Sequence, residues 1–248
     1  MQIPIFLYLQ SLIKWLAIAL LSLLVVPLLL FPLALLGPHS SFARTLFYKV
    51  SSWFCRCIIA ITRIKLVITG ALEVLHKEPA IIVMNHSSSL DIPLLEALMA
   101  GAPFVWLSKA SYKKIPIGGI ILNRMHASVD RQHAVQAAKS LDFFVAKATR
   151  FQAHMLMFPE GTRYVDGNIH PFKPGFAVAA EQTNRLVIPI VVKNMHAILP
   201  KHGLLIDSSH KTIKIIVGEP LQRIPDESRE AFVQRVQSTC ASLLSKAL

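Results

Sequence analysis

The sequence predicts an α/β fold. A layered domain, with a mixed, mostly parallel sheet covered by helices, follows an N-terminal apolar, membrane-associating helical segment. Three observations carry this. Short apolar, β-prone runs alternate with helical patterns through the body of the chain. The polar clusters fall at the ends of those runs, where such folds collect functional groups. Leu16 to Leu36 contains no charged residue.

A helix over Leu16–Leu36 would measure about 30 Å, the thickness of a bilayer core. Pro27 and Pro32 each remove a helix hydrogen bond. The segment therefore reads either as a kinked transmembrane helix or as two shorter helices, bent near Pro27, that dip into one leaflet. A secretory signal wants positive charge before its apolar core, and Lys14 is the only Lys or Arg in the first 40 residues. Residues 1–40 are read as the anchor, 41–70 as a basic juxtamembrane linker, and 71–248 as the globular domain. Strands are expected at Ile64–Thr69, Ala80–Met84, Phe104–Leu107, Met155–Phe158, Leu186–Val192 and Thr212–Val217. Helices are expected at Ile92–Met99, Ala134–Lys147, Phe176–Gln182 and Glu227–Lys246.

Charge sharpens the picture. The formal net charge is +12, and no acid precedes Glu73. The basic residues from Arg44 to Lys65 follow the apolar segment, which places the globular part on the cytoplasmic face and against anionic headgroups. No nucleic-acid module appears, so a nucleic-acid partner is not expected. Cys55, Cys57 and Cys240 show no metal-ligand or redox spacing and read as small buried hydrophobes.

The first polar cluster is "NHSSSLD", residues 85–91. His86 and Asp91 would lie about 140° apart on a regular helix. They meet only if Ser87–Leu90 turn and Asp91 opens a helix, which the serines and Pro93 allow. An Asp accepting from imidazole Nδ1–H would leave Nε2 free as a base. The alternative is that Asp91 merely caps the helix. A Ser-His-Asp hydrolase is disfavoured, because the chain has no G-x-S-x-G elbow.

The second cluster is "FPEGTR", residues 158–163. Gly161 lets a ligand approach the backbone, Thr162 adds a hydroxyl and Arg163 offers a fork suited to phosphate oxygens. Glu160 beside an anion site would orient an arginine or accept from a substrate hydroxyl. This is not a Walker loop. Arg131, in "VDR", could clamp the same phosphate. Lys173 and Gly175, in "FKPG", lead into a helix N-terminus that favours an anion. Pro189, in "VIPIVV", implies an edge strand or a bulge. Read one by one, these clusters are also compatible with solvated turns and core packing.

In this order the motifs "NHSSSLD", "VDR", "FPEGTR" and "VIPIVV", with "FKPG" and "IVGEPL", resemble the glycerolipid acyltransferases, especially the 1-acyl-glycerol-3-phosphate acyltransferases. The likeness covers about residues 80–195. It implies His86 as general base, oriented by Asp91. It implies Arg131, Glu160, Gly161, Thr162 and Arg163 as the groups that bind the acceptor's phosphate and glycerol. Pro189 falls in the motif tied to acyl-donor binding or to site architecture. The implied donor is an acyl thioester, acyl-CoA or acyl carrier protein, and the implied acceptor is lysophosphatidic acid, converted to phosphatidic acid. Related enzymes acylate other lyso-lipids, such as lyso-ornithine lipids, so the likeness points to O-acyl transfer more firmly than to the acceptor. No side chain looks like a covalent acyl carrier, so direct transfer without a cofactor or metal is expected. The contrasting expectation is a non-catalytic protein that binds anionic membranes. Localisation is expected at a membrane, the inner one if the source is bacterial.

Overall fold

The computed structural model describes residues 5–130, 134–208 and 212–246. Helix α1 (Ile5–Val25) runs through a π-helical turn (Val26–Leu30) into α2 (Phe31–Leu36). Pro27 lacks the N–H that the ladder needs, and Phe31 N–H reaches back to Val26 O across five residues instead of four. The helical segments on either side of Pro27 thus run on as one apolar rod, Ile5–Leu36, long and apolar enough to cross a membrane. Its outer face is bare: Ile5, Phe6, Leu16, Leu20 and Leu23 are all exposed. Its inner face is polar in the first third, over Ser11–Trp15. Ser11 Oγ donates to Leu204 O (3.1 Å) and accepts from Ile206 N (2.9 Å). Lys14 Nζ donates to Ile206 O (3.2 Å) and Ser208 Oγ (2.7 Å), and Trp15 Nε1 donates to Leu204 O (2.6 Å).

The stretch read as a basic linker is a correction. Helix α3 (Ser41–Thr62) and edge strand β1 (Lys65–Thr69) occupy it. Ser40 caps α3 by accepting from Ala43 N (3.2 Å). Ala43, Phe47, Ser51, Cys55 and Ile59 recur every four residues and are buried, one stripe of a helix. The stripe packs on α4 (Asp91–Leu98). At that contact buried Glu96 accepts from Ser51 Oγ (2.5 Å) and Trp106 Nε1 (2.8 Å). Burial pushes the Glu96 carboxyl above its usual range.

The remaining strands are β2 (Ile81–Met84), β3 (Phe104–Lys109), β4 (Ala127–Val129), β5 (His154–Met157), β6 (Val187–Lys193) and β7 (Thr212–Val217). The remaining helices are α5 (Gly118–Met125), α6 (Ala134–Arg150), α7 (Gly175–Thr183), α8 (Met195–Ile198) and α9 (Arg229–Lys246). The seven strands order as β1-β7-β6-β2-β5-β3-β4, all pairs parallel except antiparallel β6–β7. This is the mixed, mostly parallel sheet that the alternation predicted. Successive residues of β2 serve opposite faces. Ile82 and Met84 join the core under α3 and α4, while Ile81 and Val83 join the core with Phe144, Phe176 and Phe232 from α6, α7 and α9.

Strand β6 is central rather than an edge. It accommodates Pro189 because the neighbouring ladder has just ended: β7 stops at Val217, which pairs with Ile190. Gly218 N then donates to Pro189 O (2.8 Å). The next bridge is Val187–Leu221, with one extra residue on the Gly218–Leu221 side. This is the local irregularity that a strand proline needs.

Two buried histidines give the fold an acid limit. His154 Nδ1 accepts from Ala80 N (3.1 Å), and burial lowers its pKa to about 4. His126 lies against Phe104 and Phe47, and burial, with Lys147 adding to it, lowers its pKa to about 3. Folded pKa values below the ordinary 6.5 mean that the unfolded chain binds more protons. Their stabilisation is therefore complete above pH 6.5 and is lost as pH falls through about 4. For His154 alone the difference is about 3 kcal/mol. The melting temperature should fall steeply between pH 6.5 and 4. A flat profile there would contradict the buried neutral assignment.

Candidate active site

Strand β2 ends at Met84, and the site starts on the next residue. Asn85 makes a two-bond clamp to the backbone of Val192 on β6, through Nδ2 (3.0 Å) and Oδ1 (2.8 Å). The chain then turns through the three serines, and Asp91 opens α4. The carboxylate holds the turn: its Oδ2 accepts from Ser87 N (2.7 Å), Ser88 N (2.8 Å) and lies 2.9 Å from His86 Nδ1. Ser88 Oγ donates to Leu199 O (2.7 Å), tying the turn to the chain after α8. The five-residue spacing thus closes into a His–Asp contact because a turn, not a helix, fills it. Asp91 is also the acid in the first turn of α4, yet its side chain caps no helix N–H, because the two N–H groups it accepts from belong to the turn before the helix. The Asp91 side chain is 1% exposed and that of His86 14%. The imidazole is clamped in its plane against Phe158, with ring centroids 3.9 Å apart and 10° between planes. Trp106 stacks behind Phe158 at 5.2 Å.

The turn after β5 grips the backbone of His86 on both sides. His86 N donates to Glu160 Oε2 (3.1 Å), and His86 O accepts from Tyr164 N (2.9 Å). Glu160 Oε1 accepts from His170 N (3.2 Å). Expected among the groups that hold the acceptor, the buried Glu160 carboxylate is committed to two backbone N–H groups. Burial raises its pKa, and those two bonds oppose the rise. Gly161 has φ +74°, a left-handed conformation that glycine adopts without strain. Arg163 Nη1 donates to Ser89 Oγ, linking the two polar motifs directly. Thr162 is exposed and accepts from Lys201 Nζ (3.4 Å).

Two cavities flank this junction. A polar one of about 260 Å³ is lined by His86, Ser87, Glu160, Asp166, Lys193 and His196, among others. An apolar one of about 490 Å³ has Phe158 and Gly161 on its lining and is walled by Leu107, Val129, Leu141 and Val178, with Lys173 at its surface. Pro189 is buried within the sheet beside Val83. Arg131 lies outside the described residues. The structure therefore brings together His86, Asp91, Glu160, Gly161, Thr162 and Arg163, with Lys173 at the apolar cavity. Sequence reasoning missed Asn85, His196 and Lys201. The only signal for Asn85 was its place directly before the histidine. His196 and Lys201 come from a segment with no motif of its own.

An imidazole backed by a buried carboxylate, at a strand end beside an arginine-bearing turn, is the furniture of acid–base group transfer. The profile of the Acyltransferase family matches residues 65–193, and the chain belongs to that family. Among curated proteins, it is 30% identical over 146 residues to the 1-acyl-sn-glycerol-3-phosphate acyltransferase of Borreliella burgdorferi, covering 59% of this chain and 55% of that one. It is 32% identical over 149 residues to a chloroplastic 1-acyl-sn-glycerol-3-phosphate acyltransferase of Arabidopsis thaliana, covering 58% of this chain and 39% of that one. The chain thus spans about half the length of these relatives or less. The crystal structure of the 1-acyl-sn-glycerophosphate acyltransferase PlsC from Thermotoga maritima superimposes with a TM-score of 0.78 over 97% of both chains at 20% identity, which shows a shared fold.

Proposed function

We propose that the protein transfers a fatty acyl group from acyl-CoA or acyl carrier protein to the free hydroxyl of 1-acyl-glycerol-3-phosphate, giving phosphatidic acid. The observation that carries this reading is the His86–Asp91 pair, bonded through the His86 backbone to the Glu-Gly-Thr-Arg turn. The names of the relatives in two kingdoms of life support the acceptor.

His86 Nδ1–H donates to Asp91, which leaves Nε2 as the base. Nε2 takes the hydroxyl proton as the acceptor oxygen attacks the thioester carbonyl. The tetrahedral intermediate collapses, the C–S bond breaks, and the departing thiolate recovers the proton from the imidazolium. Asp91 favours that imidazolium while the proton is on it. General-base help of this kind gives about 10²–10⁴-fold, and holding the two substrates together supplies much of the rest. Arg163, Arg131 and Lys173 bind the acceptor's phosphate, Thr162 adds a hydroxyl and Gly161 admits the ligand to the backbone. Glu160 acts as a positioning residue for His86, and Pro189 shapes the strand beside it. Transfer is direct, with no resident cofactor or metal.

The rod Ile5–Leu36 attaches the protein to an anionic membrane, with the α/β domain on the cytoplasmic face. Because Ser11, Lys14 and Trp15 bond to residues 204–208 of that domain, α1 runs alongside it. This favours a rod lying in one leaflet over one that crosses.

The test is a lyso-lipid panel with purified protein and labelled acyl thioester. Lysophosphatidic acid should exceed lyso-lipids lacking the phosphate by about tenfold or more in kcat/KM. Arg163→Ala should raise its KM about tenfold while kcat changes little. Preference for a lyso-ornithine lipid or another lysophospholipid would reassign the acceptor. Membrane binding without any acyl transfer would favour a non-catalytic role.

A further inference from the structure

A third cavity, of about 380 Å³, shares no lining residue with the two beside His86. It sits where the apolar rod ends. Pro38 and His39, from the turn after α2, form one wall; Arg124 at the end of α5 forms another; Lys147 and Arg150, in the last turn of α6, form the third. Arg44 stands close by, its guanidinium 4.8 Å over the Phe151 ring and bonded to Gly37 O (3.0 Å). Arg150 Nη2 donates to Pro38 O (2.8 Å). Among the described residues no carboxylate lines this cavity.

The charge there is uncompensated in a specific way. Lys147 Nζ donates to Asn123 O (2.7 Å) and His126 O (2.7 Å), so its protons are used on the last carbonyls of α5. Burial, and then Lys113, Arg150 and Arg124 in that order, lower its pKa to about 8. Repulsion among neighbouring cations is what an anion would relieve. The guanidinium forks of Arg124 and Arg150 match phosphate oxygens.

The surroundings select the kind of anion. Exposed apolar side chains accompany it: Phe143 of α6, on the lining, is 56% exposed, and Leu36 of α2 (59%) and Phe42 of α3 (77%) flank the Pro38–His39 turn along the chain. Leu36 is the last residue of the rod, whose outer face is equally bare. A cationic cavity at the end of an apolar rod lies at headgroup depth when the rod is in the bilayer. We propose that this cavity, built by the Pro38–His39 turn, Arg124, Lys147 and Arg150, binds the phosphate of an anionic membrane phospholipid. It is a second lipid site, separate from the catalytic one, and it does not depend on how the catalytic site is read.

The test is calorimetric titration of the detergent-solubilised full chain with short-chain phosphatidylglycerol, short-chain phosphatidylcholine and inorganic phosphate. To remove the catalytic phosphate site from the readout, the Arg163→Ala chain is titrated in parallel and should bind alike. Phosphatidylglycerol should bind about tenfold more tightly than phosphatidylcholine, and inorganic phosphate more weakly than either. The double variant Arg124→Gln/Arg150→Gln should lose about tenfold in affinity for phosphatidylglycerol, while acyl transfer in mixed micelles changes less than about twofold. Arg124→Lys/Arg150→Lys should recover most of the binding, which a folding defect would not. Equal affinity for the two lipids, or full binding by the Gln double variant, would overturn the site. Inorganic phosphate binding as tightly as phosphatidylglycerol would overturn the lipid assignment in favour of a soluble anion.

Discussion

His86→Ala should retain no more than about 1% of wild-type acyl transfer, from the general-base magnitude, with the melting temperature nearly unchanged. The geometry makes this a clean substitution. The bonds that fix residue 86 against the catalytic turn belong to its backbone, N–H to Glu160 and C=O from Tyr164, and both survive truncation. Asp91 keeps its two other donors, Ser87 N and Ser88 N, so its buried carboxylate is not orphaned. What disappears is the ring stacked on Phe158 and the nitrogen free to take a proton. Turnover above about a tenth of wild type in the folded variant would remove His86 from the reaction.

Asp91→Asn should cost about 10²–10³-fold in kcat and leave the acceptor KM close to wild type. Three donors converge on one carboxylate oxygen: two backbone N–H groups and His86 Nδ1. An amide must place its own oxygen there, so the hydrogen bonds and the imidazole tautomer are kept. The amide nitrogen then takes the place of Oδ1, which is buried with no partner among the described residues. The variant therefore loses the negative charge facing the imidazolium and gains a buried donor without an acceptor, worth about 1–3 kcal/mol of stability. A small fall in melting temperature with a large fall in kcat is the expected signature. Unchanged kcat would show that the carboxylate serves only to hold the Ser87–Ser88 turn.

The parts legible in the sequence were those whose cause is local. His86 and Asp91 could be paired because serines make turns and Pro93 tolerates only a first helical turn. The central strands β2, β5 and β6 announced themselves as short apolar runs, all buried in the sheet. Helix α3 carries the four-residue recurrence from Ala43 to Ile59, but the basic residues set among it suit a juxtamembrane linker equally well. Helix α5, short and opened by two glycines, carries no propensity signal. Pro189 in β6 implies an edge or a bulge, and the sheet forms the irregularity rather than the edge. Tolerance of the proline here depends on where β7 ends, which only the assembled sheet decides. Glu160, beside Gly161 and Arg163 in the chain, is expected to face a ligand. Its two backbone partners, at 86 and 170, meet only when β2 and β5 lie side by side. His196 and Lys201 reach the site from beyond β6, a contribution of topology and not of motif.

The account stands on a proton transfer from a lipid hydroxyl to His86 Nε2, and the position of that hydroxyl can be measured. A structure of the protein with lysophosphatidic acid bound should place the free hydroxyl within about 3 Å of Nε2, with Nδ1 still on Asp91 and the phosphate against Arg163. A lipid seated with its phosphate on Arg163 but its hydroxyl out of reach of the imidazole, even through one water, would contradict it.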